Sequence, residues 1–295
     1  MAAQTRPVRT DPSPESAETA FRVDESWRDP LMADLARSAF EAAVAAADVL
    51  RAAARKAGTA VTGLSTKISQ TDMVSDVDRS SEAAVNQVLL RRRPDDGLLA
   101  EEGSSRTGTT GVRWVVDPLD GTTNFLFSIP QYAVSIAAEI DGAPVIGLVM
   151  DPCRTETWAA ARGHGAFLNG SRCRVRPDAT SVSQALIATG FAYKAEWRSW
   201  QGEIAAKMLP QLRDLRRFGS AALDLSWVGG ARFDGYYEWG LSPWDLRAGE
   251  LVAREAGATV RSFPNGTSVA TTPGLFGPLC DLLDVAGAFD GPPSH

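Results

Sequence analysis

Three times in this sequence an apolar run or a helix start meets an acid at its end. Gly97-Leu98-Leu99-Ala100 runs into Glu101-Glu102, and Arg113-Trp114-Val115-Val116 runs into Asp117-Pro118-Leu119-Asp120-Gly121. Ser242-Pro243-Trp244-Asp245 sets an acid in the first turn of a helix, with Ser as N-cap and Pro at the first helical position. A rigid element that ends on a polar group holds that group in place and faces it to solvent, and sites are commonly built this way. Asp117 and Asp120 sharpen the constraint. Two carboxylates held close on a Pro-stiffened turn repel, so one takes up a proton or a cation binds between them.

Composition narrows the ligand. The 295 residues include two His, of which His295 is terminal and His164 sits between glycines, and three Cys (Cys153, Cys173, Cys280) with no C-x-x-C. A three-His zinc site is impossible, a His-Glu-x-x-His helix is absent, and a reducing cytoplasm fits the odd thiols. The donor set is all oxygen, which suits Mg²⁺, Mn²⁺ or Ca²⁺ rather than zinc. Gly121-Thr122-Thr123 adds unhindered backbone N–H groups and hydroxyls; a helix starting there would favour phosphate at its N-terminus. Metal ligands beside a phosphate cradle point to metal-assisted phosphoryl transfer to water. The formal charge of −6, from 36 acids against 30 Lys and Arg, argues against nonspecific nucleic-acid binding. No apolar run approaches the roughly 18 residues a membrane span needs.

Taken singly, each acid has an ordinary reading: a solvated Glu pair, a polar turn, a residue on a helix dipole. Their succession is what points to a site. The surrounding pattern reads as a disordered tail over 1–28, rich in Pro, Ser and charge, then a long Ala-rich helix from Pro30 to Lys56. A mobile loop with Lys67 is expected over Thr59–Asp76 and a helix over Ser80–Arg93. Strands follow at Tyr132–Ile140 and Val145–Met150 around the Asp141-Gly142 turn. Beyond residue 178 the segments alternate: strand Ala185–Thr189, helix Trp197–Leu209, a helix opened by Gly219-Ser220, strand Phe233–Glu238, and a helix from Ser242 to Gly257. The pattern is α+β over 29–177, taken as a metal- and phosphate-binding domain, and α/β over 178–290.

The nine residues Asp117–Phe125 closely resemble the signature of the inositol monophosphatase family, as does Trp244–Gly257. Lys67 with Thr71–Asp78, Glu101-Glu102, Gly219–Leu225 and Asp234–Glu238 are similar to further family segments in the expected order, and the resemblance spans roughly residues 31–285. It implies a five-layered αβαβα sandwich of the inositol monophosphatase and fructose-1,6-bisphosphatase type. It implies phosphomonoester hydrolysis with two or three Mg²⁺, Mn²⁺ as a substitute and Li⁺ as an inhibitor. By the resemblance Glu101, Asp117 and the Leu119 carbonyl hold one ion; Asp117, Asp120 and Asp245 hold the second; Glu101 shares a third through water. Glu101 and Thr122 position the attacking water, and Asp78 orients Thr122. The amides of Gly121 and Thr122 meet the phosphate, while Arg216, Ala221 and Glu238, with Asp245 beside them, face the alcohol.

Ala100 stands where the family commonly has Gly, Gln70 where Pro is frequent, and Ser242-Pro243 precedes Trp244 where some animal members carry His. No implied metal ligand is altered. The resemblance implies a homodimer and a small phosphorylated alcohol as substrate: inositol 1-phosphate first, then L-histidinol phosphate or fructose 1,6-bisphosphate. Thr123-Asn124 stands where related nucleotide phosphatases often carry Lys-Glu, which disfavours adenosine 3′,5′-bisphosphate. A different class of role follows from bacterial relatives that act as partners of the transcription machinery.

Overall fold

The computed structural model describes residues 14–22, 29–56, 65–66, 73–74 and 76–292. In the first half, helices α1 (Pro14–Phe21), α2 (Pro30–Lys56), α3 (Asp76–Arg92) and the short α4 (Thr122–Leu126) accompany ten strands: β1 (Ser65–Thr66), β2 (Met73–Val74), β3 (Gly97–Ala100), β4 (Ser105–Arg106), β5 (Val112–Asp120), β6 (Ala133–Ile140), β7 (Ala143–Asp151), β8 (Glu156–Ala161), β9 (Gly165–Leu168) and β10 (Ser171–Arg172). The second half holds β11 (Leu186–Thr189), α5 (Ala195–Met208), β12 (Asp214–Arg216), α6 (Ala221–Gly229), β13 (Gly235–Trp239), α7 (Pro243–Glu255), β14 (Thr259–Ser262), β15 (Thr267–Thr271) and α8 (Phe276–Ala286).

Strands β3 to β10 form one eight-stranded sheet in the order β10-β9-β8-β7-β6-β5-β3-β4, and β11 to β15 a five-stranded sheet in the order β12-β11-β13-β15-β14. Helix α2 covers the outer face of the large sheet because its small and apolar residues recur at helical spacing. Leu35, Ala39, Ala42, Ala46 and Leu50 are all fully buried there, against Trp114, Ile136 and Leu148. The strand residues that alternate with these, Val115, Ala137 and Val149, face the opposite way and pack on α6 and α7. The small sheet divides its side chains in the same manner. Ala188, Tyr236 and Ala270 meet α6 and α7, whereas Ile187, Tyr237 and Val269 meet α5 and α8. Helices, sheet, helices, sheet, helices is the expected αβαβα sandwich. Among the described residues no helix is long and apolar enough to cross a membrane.

Two expectations need amending. Within the presumed tail, Pro14–Phe21 is helical, and Ala20 and Phe21 are fully buried in the core beside α2. A polar, Pro-rich composition concealed two apolar anchors. The last two strands and α8 were also unread. Of the loop expected over Thr59–Asp76, Ser65–Thr66 pairs antiparallel with Met73–Val74 and Asp76 opens α3; Lys67 and most of its neighbours lie outside the described residues.

Candidate active site

Strands β3 and β5 run parallel with Ala100 beside Val116, and the Glu101 N–H donates to the Val116 carbonyl at 3.1 Å. Glu101 and Asp117 therefore leave the sheet side by side. Beyond Asp117 the ladder is irregular: Asp117 pairs with Ser135, but Asp120 pairs with Ala133, so three steps on β5 face two on β6. Pro118 sits inside this bulge, where its missing N–H costs no ladder bond. The Leu119 N–H donates to Asp117 Oδ1 at 2.9 Å, and Thr122 Oγ1 donates to the Leu119 carbonyl at 3.1 Å. Gly121 turns the chain at φ +101°, and a Cβ there would lie 2.9 Å from the Gln131 carbonyl, so only glycine fits. The α4 helix that follows is a single turn.

Helix α3 supports this turn from behind. Ser81 Oγ donates to the Pro118 carbonyl at 2.9 Å, and Asp78, in the helix's first turn, is buried. Glu82 accepts from the Glu102 N–H at 2.9 Å and from the Ser104 hydroxyl. Neither Ser81 nor Glu82 carries a sequence signal, because their partners are 37 and 20 residues away.

The second half closes the site. Asp120 Oδ2 accepts from Ser220 Oγ at 2.6 Å and from the Ala222 N–H at 2.8 Å, so a carboxylate of the large sheet seats on the N-terminus of α6. Ala221 is the first residue of that helix. Asp245, third in α7, accepts the Ser242 N–H on Oδ2 at 2.8 Å. Glu238, in β13, accepts the Tyr236 hydroxyl at 2.6 Å. Asp224, one turn into α6 and 1% exposed, lies within electrostatic reach of both Glu238 and Asp120.

These acids raise one another's proton affinity. Burial pushes Asp117 well above the usual carboxylate range, and Glu101, Asp120 and Asp245 add to it. Asp245 is raised by burial and then by Asp120 and Glu101. Asp120 reaches about 6 through burial, although the bonds from Ser220 and Ala222 pull it down. Glu238 is lifted to about 7 by burial, against the Tyr236 bond and the Arg217 charge.

The donor chemistry fits a hard divalent cation. Asp117, Asp120 and Asp245 each commit one oxygen to the bonds described, and none of those bonds uses the other. A cation is the cheapest remedy for carboxylates crowded in this way. Among the described residues no group of three or more His, Cys, Asp and Glu side chains is already drawn together tightly enough to hold a metal ion.

Of the residues expected to face a substrate, Glu238 and Ala221 lie at this cluster. Arg216 is engaged elsewhere, with Asp214 at 2.6 Å and the Leu215 carbonyl at 3.0 Å. The guanidinium whose charge reaches Glu238 and Asp224 belongs to Arg217, exposed and lying against Gly219. Asn124 pins that turn beside α4, donating to the Phe218 and Gln131 carbonyls at 2.7 Å each. Arg216 is the last residue of β12 and Arg217 the first beyond it.

A five-layered sandwich with oxygen donors gathered at the ends of two parallel strands and two helices defines the class. The model of the inositol monophosphatase family matches residues 31–278, and the chain belongs to that family. It is 43% identical over 239 residues to the inositol-1-monophosphatase of Mycobacterium bovis, covering 76% of this chain and 81% of that protein. It is 43% identical over 203 residues to the Nus factor SuhB of Escherichia coli K12, covering 68% of this chain and 76% of the relative. The solved structure of Mycobacterium tuberculosis SuhB superposes with a TM-score of 0.76 at 38% identity, over 88% of this chain and all (100%) of that one.

Proposed function

We propose that this chain hydrolyses a small alcohol phosphate monoester, with inositol 1-phosphate the leading substrate, in a Mg²⁺-dependent reaction. The observation that carries the reading is the crowding of the buried Asp117 and Asp120 with the half-buried Asp245 and Glu101 at adjoining strand and helix ends, where each raises the proton affinity of its neighbours. Mg²⁺ held by Glu101, Asp117, the Leu119 carbonyl, Asp120 and Asp245 would supply charge stabilisation and an acidified water. Glu101 and Thr122 orient the attacking water, with Asp78 behind Thr122. The Thr122 hydroxyl spends its proton on the Leu119 carbonyl, which leaves its lone pairs to accept a hydrogen bond from that water. The N–H groups of Gly121 and Thr122 receive the phosphate. Ala221 and Glu238 face the alcohol, joined by Arg217 in place of Arg216.

The name of the mycobacterial relative supports inositol 1-phosphate; L-histidinol phosphate and fructose 1,6-bisphosphate are the rivals within the class. The relatives named Nus factor SuhB support a second role, binding to the transcription machinery; a homodimer in the cytoplasm is part of the same proposal. The test is phosphate release from these three esters with and without chelator. Mg²⁺-dependent release, fastest from inositol 1-phosphate, is expected, and release that persists in chelator overturns the mechanism. A partner captured equally by wild type and Asp120→Asn would separate the binding role from catalysis.

A further inference from the structure

Strand β6 joins the two halves of the site. Val134, Ile136 and Ala138 pack toward α2, and Ala137 packs toward α6 and α7. Ser135 and Glu139 share the Ala137 side by strand alternation, and both are fully buried. Ser135 lies opposite Asp117 in the β5–β6 ladder. Its hydroxyl donates at 3.0 Å to the carbonyl of Trp244, the residue before Asp245. One residue is thus the strand partner of the first acid through its backbone and, through its side chain, holds the peptide that precedes the second.

The helix carrying Asp245 is close enough for this bond to matter. A Cβ at Gly147 on the neighbouring strand would lie 2.7 Å from the Ala248 carbonyl, so α7 rests directly on the sheet. Four residues along β6, Glu139 meets Arg247 at 2.9 Å, a second tie to the same helix. Glu139 also binds Arg113 at 2.9 Å, so that tie is shared. The Trp244 carbonyl belongs to the first turn of α7, where a helical carbonyl already receives the N–H four residues on. The Ser135 bond is therefore not needed to satisfy it. Its effect is to fix how far along the sheet the first turn of α7 sits.

We propose that Ser135 is a positioning residue that sets Asp245 against Asp117, and so tunes the affinity of the site for its cation. This rests on the metal-dependent reading above. Supporting groups of this kind typically change metal affinity about 10–100-fold when removed.

The test is calorimetric titration with Mg²⁺ of the full chain as wild type, Ser135→Ala, Ser135→Thr and Ser38→Ala. Ser38 is an equally buried hydroxyl in α2, on the outer face of the large sheet, donating to the Asp34 carbonyl and accepting from Arg92 Nε. Ser135→Ala is expected to bind Mg²⁺ about 10-fold or more weakly, with kcat restored at saturating Mg²⁺ and KM for inositol 1-phosphate little changed. Ser135→Thr keeps the hydroxyl and should stay near wild type, as should Ser38→Ala. Thr worse than Ala would mean that volume matters and not the bond, and overturns the proposal. Equal affinity of Ser135→Ala and a Mg²⁺-binding wild type overturns it as well, leaving the proposed function standing. A wild type that binds no Mg²⁺ defeats the proposed function itself. Should Ser135→Ala fail to fold, the isosteric Ser135→Cys, a weak donor, replaces it under the same expectation.

Discussion

Helices α6 and α7 both begin at the acid cluster, and they begin differently. The first turn of α7 is served from within: Asp245 on its third residue takes the Ser242 N–H. The first turn of α6 receives a carboxylate from another layer, Asp120 at the end of β5, through Ser220 and Ala222. Both arrangements place a negative charge where the helix dipole welcomes it. Only the second couples the halves of the fold, since Asp120 and Ser220 are 100 residues apart. Asp120 is thus at once a helix cap, a cross-strut and a proposed metal ligand, while Asp245 is a cap and a ligand on one element.

The largest expected effect tests what the two acids share. Asp120→Asn and Asp245→Asn should each lower kcat by orders of magnitude, because each removes a charge that balances the cation. Full activity in either would remove that acid from the site. Their metal-free stabilities should not fall, since the ordinary cost of an ionised buried carboxylate disappears with the charge. Asp120→Ala is different: it also strips α6 of its borrowed cap, at a cost of about 1 kcal/mol relative to Asn. Chemical denaturation without metal measures this.

The difference between the helices is sharpest at their serines. Ser220 gives its hydroxyl to Asp120 and accepts the Leu223 N–H, whereas Ser242 serves Asp245 through a backbone N–H that survives mutation. Ser220→Ala should therefore cost about 2 kcal/mol of stability and raise the Mg²⁺ concentration needed for half-maximal activity. Ser242→Ala should leave that concentration nearly unchanged. Equal effects at the two serines would break the distinction.

The same contrast decides what could be read from the chain. Ser242-Pro243-Trp244-Asp245 announces its helix and acid locally, because cap, Pro and acid fall within one turn. Glu101 and Asp117 were legible for a related reason: each ends an apolar run, and β3 covers the expected residues Gly97–Ala100. The partners of Asp120 were not legible. Ser220 was visible as a helix opener, but nothing in the local pattern says that its hydroxyl turns to a carboxylate in the other sheet. Ser81, Glu82 and Ser135 went unseen because isolated polar residues in a helix or strand have no periodicity of their own. The arginine pair shows the finest limit. Arg216 and Arg217 are indistinguishable as neighbouring bases until the fold ends the edge strand at the first, which pairs with Asp214, and leaves the second beyond it with its charge on Glu238 and Asp224.

Glu238 offers a gentler probe of the second half. Its carboxyl is lifted from 4.5 to about 7 by burial, so the folded protein holds a proton there that the unfolded chain releases. The stability this contributes is fully present below about 4.5 and is lost as pH rises to about 7. Glu238→Gln should therefore gain stability relative to wild type across that window and keep a constant advantage above it, read as Tm in metal-free buffer. In turnover the substitution should change the ranking of the three esters more than the Mg²⁺ requirement. The reverse would place Glu238 among the metal ligands rather than on the substrate side.

The smallest effect separates the two arginines. Arg217 is exposed, in no ion pair within 4.0 Å among the described residues, and its charge acts on Glu238 and Asp224. Arg216 holds Asp214 at the surface and lowers its pKa. Surface pairs of that kind contribute little. Arg217→Ala should raise KM for inositol 1-phosphate about tenfold, equivalent to about 1.4 kcal/mol of lost binding, with kcat nearly kept. Arg216→Ala should leave both constants close to wild type. If Arg216→Ala raises KM and Arg217→Ala does not, then the side chains exchange places when substrate binds. The edge strand β12, paired among the described residues with β11 alone, would then be an adaptable wall of the site, and the fixed wall would be the α6 N-terminus held by Asp120.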